Sequence, residues 1–122
     1  MRFDFSLSQV KVETLYDTET YEILARDLLG LPDISEKKMF GGVAFLLAGN
    51  MLCGVHKNGA MYRVGQDNEG LALALDGVVP MAFTGRRMGG FVDVSPDALE
   101  NDQTRAQLLQ LAQGFVATLP AK

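Results

Sequence analysis

Apolar and polar residues alternate at the start of the chain. Phe3, Phe5 and Leu7 fall on one side, Asp4, Ser6 and Ser8 on the other, and Val10 and Val12 resume the pattern after Ser8-Gln9. A period of two predicts a half-buried strand over residues 3–12. The period then lengthens. Tyr21, Leu24, Leu28 and Leu31 recur at steps of three and four, which predicts a helix. Asp17 or Thr18 caps it, Glu19 and Glu22 lie near the positive end of its dipole, and Gly30 with Pro32 ends it.

Three strands are expected next, at about Lys38 to Leu47, Met51 to His56 and Ala60 to Val64. Ala48-Gly49-Asn50 turns the chain once and Lys57-Asn58-Gly59 turns it again, with Asn-Gly the strongest short hairpin signal. Connections this short leave no room for crossover helices, so the sheet is antiparallel. Asp67 is expected to cap a short helix through Leu71 to Leu75 that Gly77 closes, and Pro80 to Thr84 is a short extended piece. Gly85 to Gly90 reads as a loop and Phe91 to Val94 as a strand. Ser95-Pro96-Asp97 has the form of a helix start. Asn101 or Asp102 opens a last helix whose apolar stripe is Leu108, Leu109, Ala112, Val116 and Leu119, stopped by Pro120.

The segment KKMFGGVAFLLAGNMLCGV, residues 37–55, raises a chemical question. A glycine pair after two lysines invites comparison with a phosphate-binding loop. Yet neither the dinucleotide nor the P-loop spacing is present, and strand material rather than a helix follows Gly41-Gly42. Glycine at a strand entry marks a bend or a close backbone approach, so Gly41 and Gly42 read as structural. Gly89 and Gly90 repeat the pattern, since Arg86-Arg87-Met88-Gly89-Gly90 echoes Lys37-Lys38-Met39-Phe40-Gly41-Gly42. A shared strand-entry geometry would set four cations at one end of a sheet; chance recurrence in a chain with 13 glycines is the preferred reading.

Composition narrows the function classes. The 122 residues suit one domain, and 48% apolar content supports a buried core. A net charge of −4 argues against non-specific binding to nucleic acid or anionic membrane. One cysteine, Cys53, excludes an intramolecular disulfide. No run reaches the ~18 apolar residues that cross a bilayer, and the N-terminus lacks a signal-peptide core, so a cytoplasmic protein is expected.

Catalytic and metal chemistry find little material, and no catalytic residue, cofactor or metal is expected. His56 is the sole histidine, and its offset of three from Cys53 puts the two on opposite faces of a strand. Cys53 reads as an inert buried thiol. The acid pairs Asp67/Glu69 and Glu100/Asp102 lie at helix starts, where the dipole accounts for them. Met39, Met51, Met61, Met81 and Met88 lie near strand ends; most of the six methionines are expected to fill the core, with an adaptable binding face as the alternative. Lys37, Lys38, Arg63, Arg86 and Arg87 are the clustered cations; a solvated rim is the plain reading, and an anion or nucleic-acid contact flanked by Phe40, Tyr62 and Phe91 is the alternative.

Taken together, KKMFGGVAFLLAGNMLCGV, GAMYRVG, VPMAFTGRRMGGFVDVSPDAL and LLQLAQGFVATLP resemble the N-terminal domain of the TfoX (Sxy) family. The resemblance runs from about residue 18 to the end of the chain. Residues 1–17 stand outside it as an extension, and the family's second, helical domain is expected to be missing. It implies an α+β fold similar to secretion chaperones: a single antiparallel sheet with a three-strand meander, packed against an N-terminal and a C-terminal helix. Two-domain members of the family are regulators of natural competence that act with a cyclic-AMP-responsive transcription factor. The resemblance implies no catalytic activity and supplies no functional residues to carry over. The expectation is therefore a non-enzymatic regulatory or protein-interaction module, with a nucleic-acid-linked transcription module using the basic rim as the alternative. Phe3, Phe5, Leu7, Val10 and Val12 have no place in such a core, so they are expected to pair with a sheet edge and build a homodimer.

Overall fold

A computed structural model describes residues 16–39, 41–83 and 85–122. The expected strand over 3–12 lies outside the described residues, as does Phe40. Helix α1 (Thr18–Asp27) starts at Asp17, whose carboxylate accepts from the Glu19 N–H at 3.2 Å. Four strands then form a meander: β1 (Ile34–Met39), β2 (Gly42–Leu47), β3 (Asn50–His56) and β4 (Gly59–Arg63). A single 3₁₀ turn (Gln66–Asn68) runs into α2 (Glu69–Leu73), and β5 (Val78–Phe83) and β6 (Arg86–Val94) form a hairpin. α3 (Pro96–Leu99) and α4 (Asp102–Val116) close the chain. The result is α+β, with one six-stranded antiparallel sheet in the order β1-β2-β3-β4-β6-β5.

The expected single strand from Lys38 to Leu47 is two strands. Ile34–Met39 pairs back on Gly42–Leu47, and the glycine pair makes the tight reversal between them. The two glycines serve different ends. Gly41 holds φ at +78°, a conformation costly for any residue with a Cβ. Gly42 has an ordinary φ, but a Cβ there would stand 2.0 Å from the Val55 carbonyl oxygen of β3.

β1 escapes the apolar pattern because Ser35, Glu36, Lys37 and Lys38 are all exposed on an edge strand. Charges on an edge discourage uncontrolled pairing. The expected loop over 85–90 is likewise the first half of β6. There the ladder with β5 is interrupted: Pro80 faces Val92 and Ala82 faces Arg87, so residues 88–91 stand opposite Met81 alone. Gly90, at φ +86°, makes that bend.

Strand alternation decides where the core lies. Val43 and Phe45 of β2, Cys53 and Val55 of β3, Ala60 and Tyr62 of β4, and Val92 and Val94 of β6 share one face in register. They bury against Leu24 and Leu28 of α1, Ala72 of α2, Leu99 of α3, and Leu108, Ala112 and Val116 of α4. A bulge at Phe45/Leu46 leaves Leu52 unpaired and adds it to this core. Asn101 caps α4 by accepting from the N–H groups of Gln103 and Thr104. Asp67 is not a helix cap: it sits inside the 3₁₀ turn, and α2 starts without a side-chain cap.

Arg105 is the one charged residue in the core of the described residues. Its guanidinium donates to Asp27 of α1 at 2.8 and 3.4 Å, to the Leu99 carbonyl at 2.8 Å, and pairs with Asp102 at 2.8 Å. The hydrogen bond to Asp27 is the main reason its pKa is raised, and the network ties the first helix to the last.

Candidate functional site

The residues that alternate away from the core form the second face of the sheet. Ala44, Gly54, Met61 and Asp93 stand in one row across β2, β3, β4 and β6. The described helices pack on the other side. Met39, Met61 and Met81 rise around Ala44, Val43, Val55, Ala82, His56 and Asp93 to line a groove of about 230 Å³. The expectation that the methionines fill the core is therefore corrected: Met39, Met51, Met61, Met81 and Met88 are all half-buried, and three of them line this groove. A flexible thioether on a sheet face that no described helix covers suits an adaptable contact surface. Val79 of the edge strand β5, 53% exposed, extends the apolar rim.

His56 and Asp93 meet in the groove at 2.6 Å. The backbone N–H of Asn58 donates to His56 Nδ1 at 3.0 Å. Nδ1 is thus the acceptor, which leaves the proton on Nε2 to donate to Asp93. Both ring nitrogens are committed and no lone pair is free for a general base. Cys53 lies on the core face, fully buried, and burial pushes its thiol well above the usual range. The two residues do stand on opposite faces, and the buried thiol is not a nucleophile. Sequence reasoning missed Asp93; a lone acid inside the Phe91–Val94 strand was the available signal.

The five cations are not brought together. Lys37 lies in the row of Ala44 and Asp93, on edge strand β1. Arg87 lies on β6, four strands across, or about 19 Å at the usual strand spacing, and six residues along from Asp93. The two dibasic segments therefore sit diagonally opposite, not at one end of the sheet. Lys37 and Lys38 border Tyr16, Tyr21, Glu36 and Val43. There Tyr21 stacks on Phe45 at 5.7 Å and donates its hydroxyl to Glu36 at 2.7 Å. That hydrogen bond, with burial second, raises the Tyr21 phenol to about 12.

Arg63 and Arg87 lie at the other end. Arg87 pairs with Glu69 at 2.6 Å, and Glu69 also accepts from the Gly90 N–H. The helix dipole alone does not account for Glu69, since it anchors the bend of β6. The Arg63 guanidinium lies over the rings of Phe91 and Phe115, 5.6 Å from each centroid. Phe115 had no place in the expected stripe of the last helix. Of the aromatics expected beside the cations, Tyr62 is buried in the core and unable to stack on a base. Among the described residues, no cluster of histidine, cysteine and carboxylates is placed to hold a metal ion. No helix among them is long and apolar enough to cross a membrane.

The family model of the TfoX N-terminal domain matches residues 26–116, most of the chain. No curated protein and no solved structure matches it.

Proposed function

We propose that this chain, which belongs to the TfoX N-terminal domain family, is a non-enzymatic regulatory module that works in the cytoplasm by protein contact, as a homodimer. The observation that carries the reading is the position of Tyr16 beside the edge strand β1. Tyr16 lines the same cleft as Glu36, Lys37 and Lys38 of β1, the edge strand whose outer side has no partner among the described residues. The segment 3–12 alternates as a strand does, and ten residues span about 33 Å, more than the six residues of β1 need. Such a segment, crossing to β1 of a second copy, adds a strand to each sheet.

The face that no described helix covers, with its methionines, reaches Met39 of that edge strand and supports a contact role over a chemical one. The committed nitrogens of His56 and the buried thiol of Cys53 support the same side. The nucleic-acid alternative finds no such support, because its cations lie diagonally apart. Phe5→Asp with Leu7→Asp in the full chain is expected to convert the dimer to a monomer in sedimentation velocity, with the thermal transition retained. A dimer that survives both substitutions sinks the pairing.

A further inference from the structure

Arg63 is held without being satisfied. The guanidinium lies over the rings of Phe91 and Phe115, 5.6 Å from each centroid, contacts that hold a planar cation but offer it no acceptor. Its N–H donors lie in the plane of the fork. Among the described residues, no carboxylate, carbonyl or hydroxyl accepts from them. The guanidinium faces a cleft of about 670 Å³, within the range of small-molecule sites.

Several other donors in and around this cleft are already engaged; the Gln66 side-chain amide is not among them. Val64 and Gly65 both donate their N–H groups to the Gly90 carbonyl, at 2.9 and 3.0 Å. Gly90 donates to Glu69, Asn68 to the Val64 carbonyl at 3.0 Å, and Thr118 to the Phe115 carbonyl at 2.6 Å. Arg87 is neutralised by Glu69. Asp67 sits on the rim.

We propose that this cleft binds a carboxylate-bearing ligand, with the Arg63 guanidinium as its bidentate anchor. A planar monoanion matches the fork in shape and charge. A phosphate dianion would bring a second charge that no other cation in the cleft lining meets, close to Asp67. The proposal concerns the end of β4, not the β1 edge, and does not rest on the pairing of residues 3–12.

The test follows the Arg63 Nε–Hε signal of the full chain in ¹H–¹⁵N spectra during titration with benzoate, benzamide and inorganic phosphate. Benzoate is expected to shift it saturably, with the Gly65 and Gly90 amides following. Benzamide is expected to leave it in place, and phosphate to bind more weakly than benzoate. Arg63→Lys keeps the charge but not the fork, and is expected to weaken benzoate binding about tenfold. Arg63→Gln is expected to abolish it, with the rest of the spectrum retained. A benzoate response that does not saturate, an equal response to benzamide, or phosphate binding as tight as benzoate overturns the proposal, as does undiminished benzoate binding by Arg63→Lys. A short peptide with a free C-terminus, compared with its amide, identifies the source. Tighter binding than benzoate marks a peptide terminus, and weaker binding a small carboxylic acid.

Discussion

Replacing Asp27 with alanine removes the main partner of a buried cation. Arg105 has a side chain only 7% exposed, and Asp27 is 24% exposed. Losing one partner of a fully buried pair costs roughly 3–5 kcal/mol, mostly from the stranded charge. Here Arg105 keeps the Leu99 carbonyl and the exposed Asp102, so the expected loss is about 2–3 kcal/mol. With a urea slope of about 1–3 kcal/mol per molar, the midpoint should fall by roughly 0.7–3 M.

Arg105→Met removes the charge with its stem volume kept. It leaves the Leu99 carbonyl without its donor, for about 1–2 kcal/mol. Asp102→Asn touches a side chain that is 89% exposed and should cost less than about 0.5 kcal/mol. The assay is equilibrium urea unfolding of the three variants beside the parent. A loss for Asp102→Asn as large as that for Asp27→Ala, or an Asp27→Ala midpoint equal to the parent's, refutes the assignment of the network to α1–α4 docking.

Three further outcomes follow from the geometry. Gly42→Ala should destabilise more than Gly41→Ala, since the first drives a Cβ into the Val55 carbonyl while the second adds about 1–2 kcal/mol of backbone strain; urea midpoints rank them. Glu36→Gln should lower the Tyr21 phenol from about 12 toward its ordinary value of 10, read from tyrosinate absorbance. Because the folded pKa is the higher one, the stability Tyr21 contributes is complete below pH 10 and fades as pH rises toward 12; its exposure keeps the swing below about 1 kcal/mol. Cys53 should react with a thiol reagent only as fast as the protein opens, so that added urea accelerates labelling in step with unfolding; rapid labelling of the native protein contradicts its burial.

What the sequence disclosed depended on whether local chemistry and tertiary surroundings agreed. The caps at Asp17, Ser95 and Asn101 were legible because each side chain closes on the next turn of its own helix. β1 was not, because an exposed edge strand such as Ser35 to Lys38 carries no apolar alternation. Residues 86–90 read as a loop because two arginines and two glycines lack strand character; Glu69, distant in sequence, holds that bend by bonding Arg87 and Gly90. The methionines were assigned to the core from their polarity alone. Which side of a strand lies under helices is decided by packing across the sheet, and no local signal carries it. The Arg63 cleft was half visible: Arg63 and Phe91 were marked as cation and aromatic, but Phe115 reaches them from a helix some fifty positions on.

The proposed homodimer pairs residues 3–12 with β1 of a second copy, so its mass decides the matter. The most direct test is the absolute mass of the full chain by light scattering on a sizing column. Twice the 13.3 kDa chain mass, held as the sample is diluted, is the expected result. A single chain mass at every concentration contradicts the homodimer.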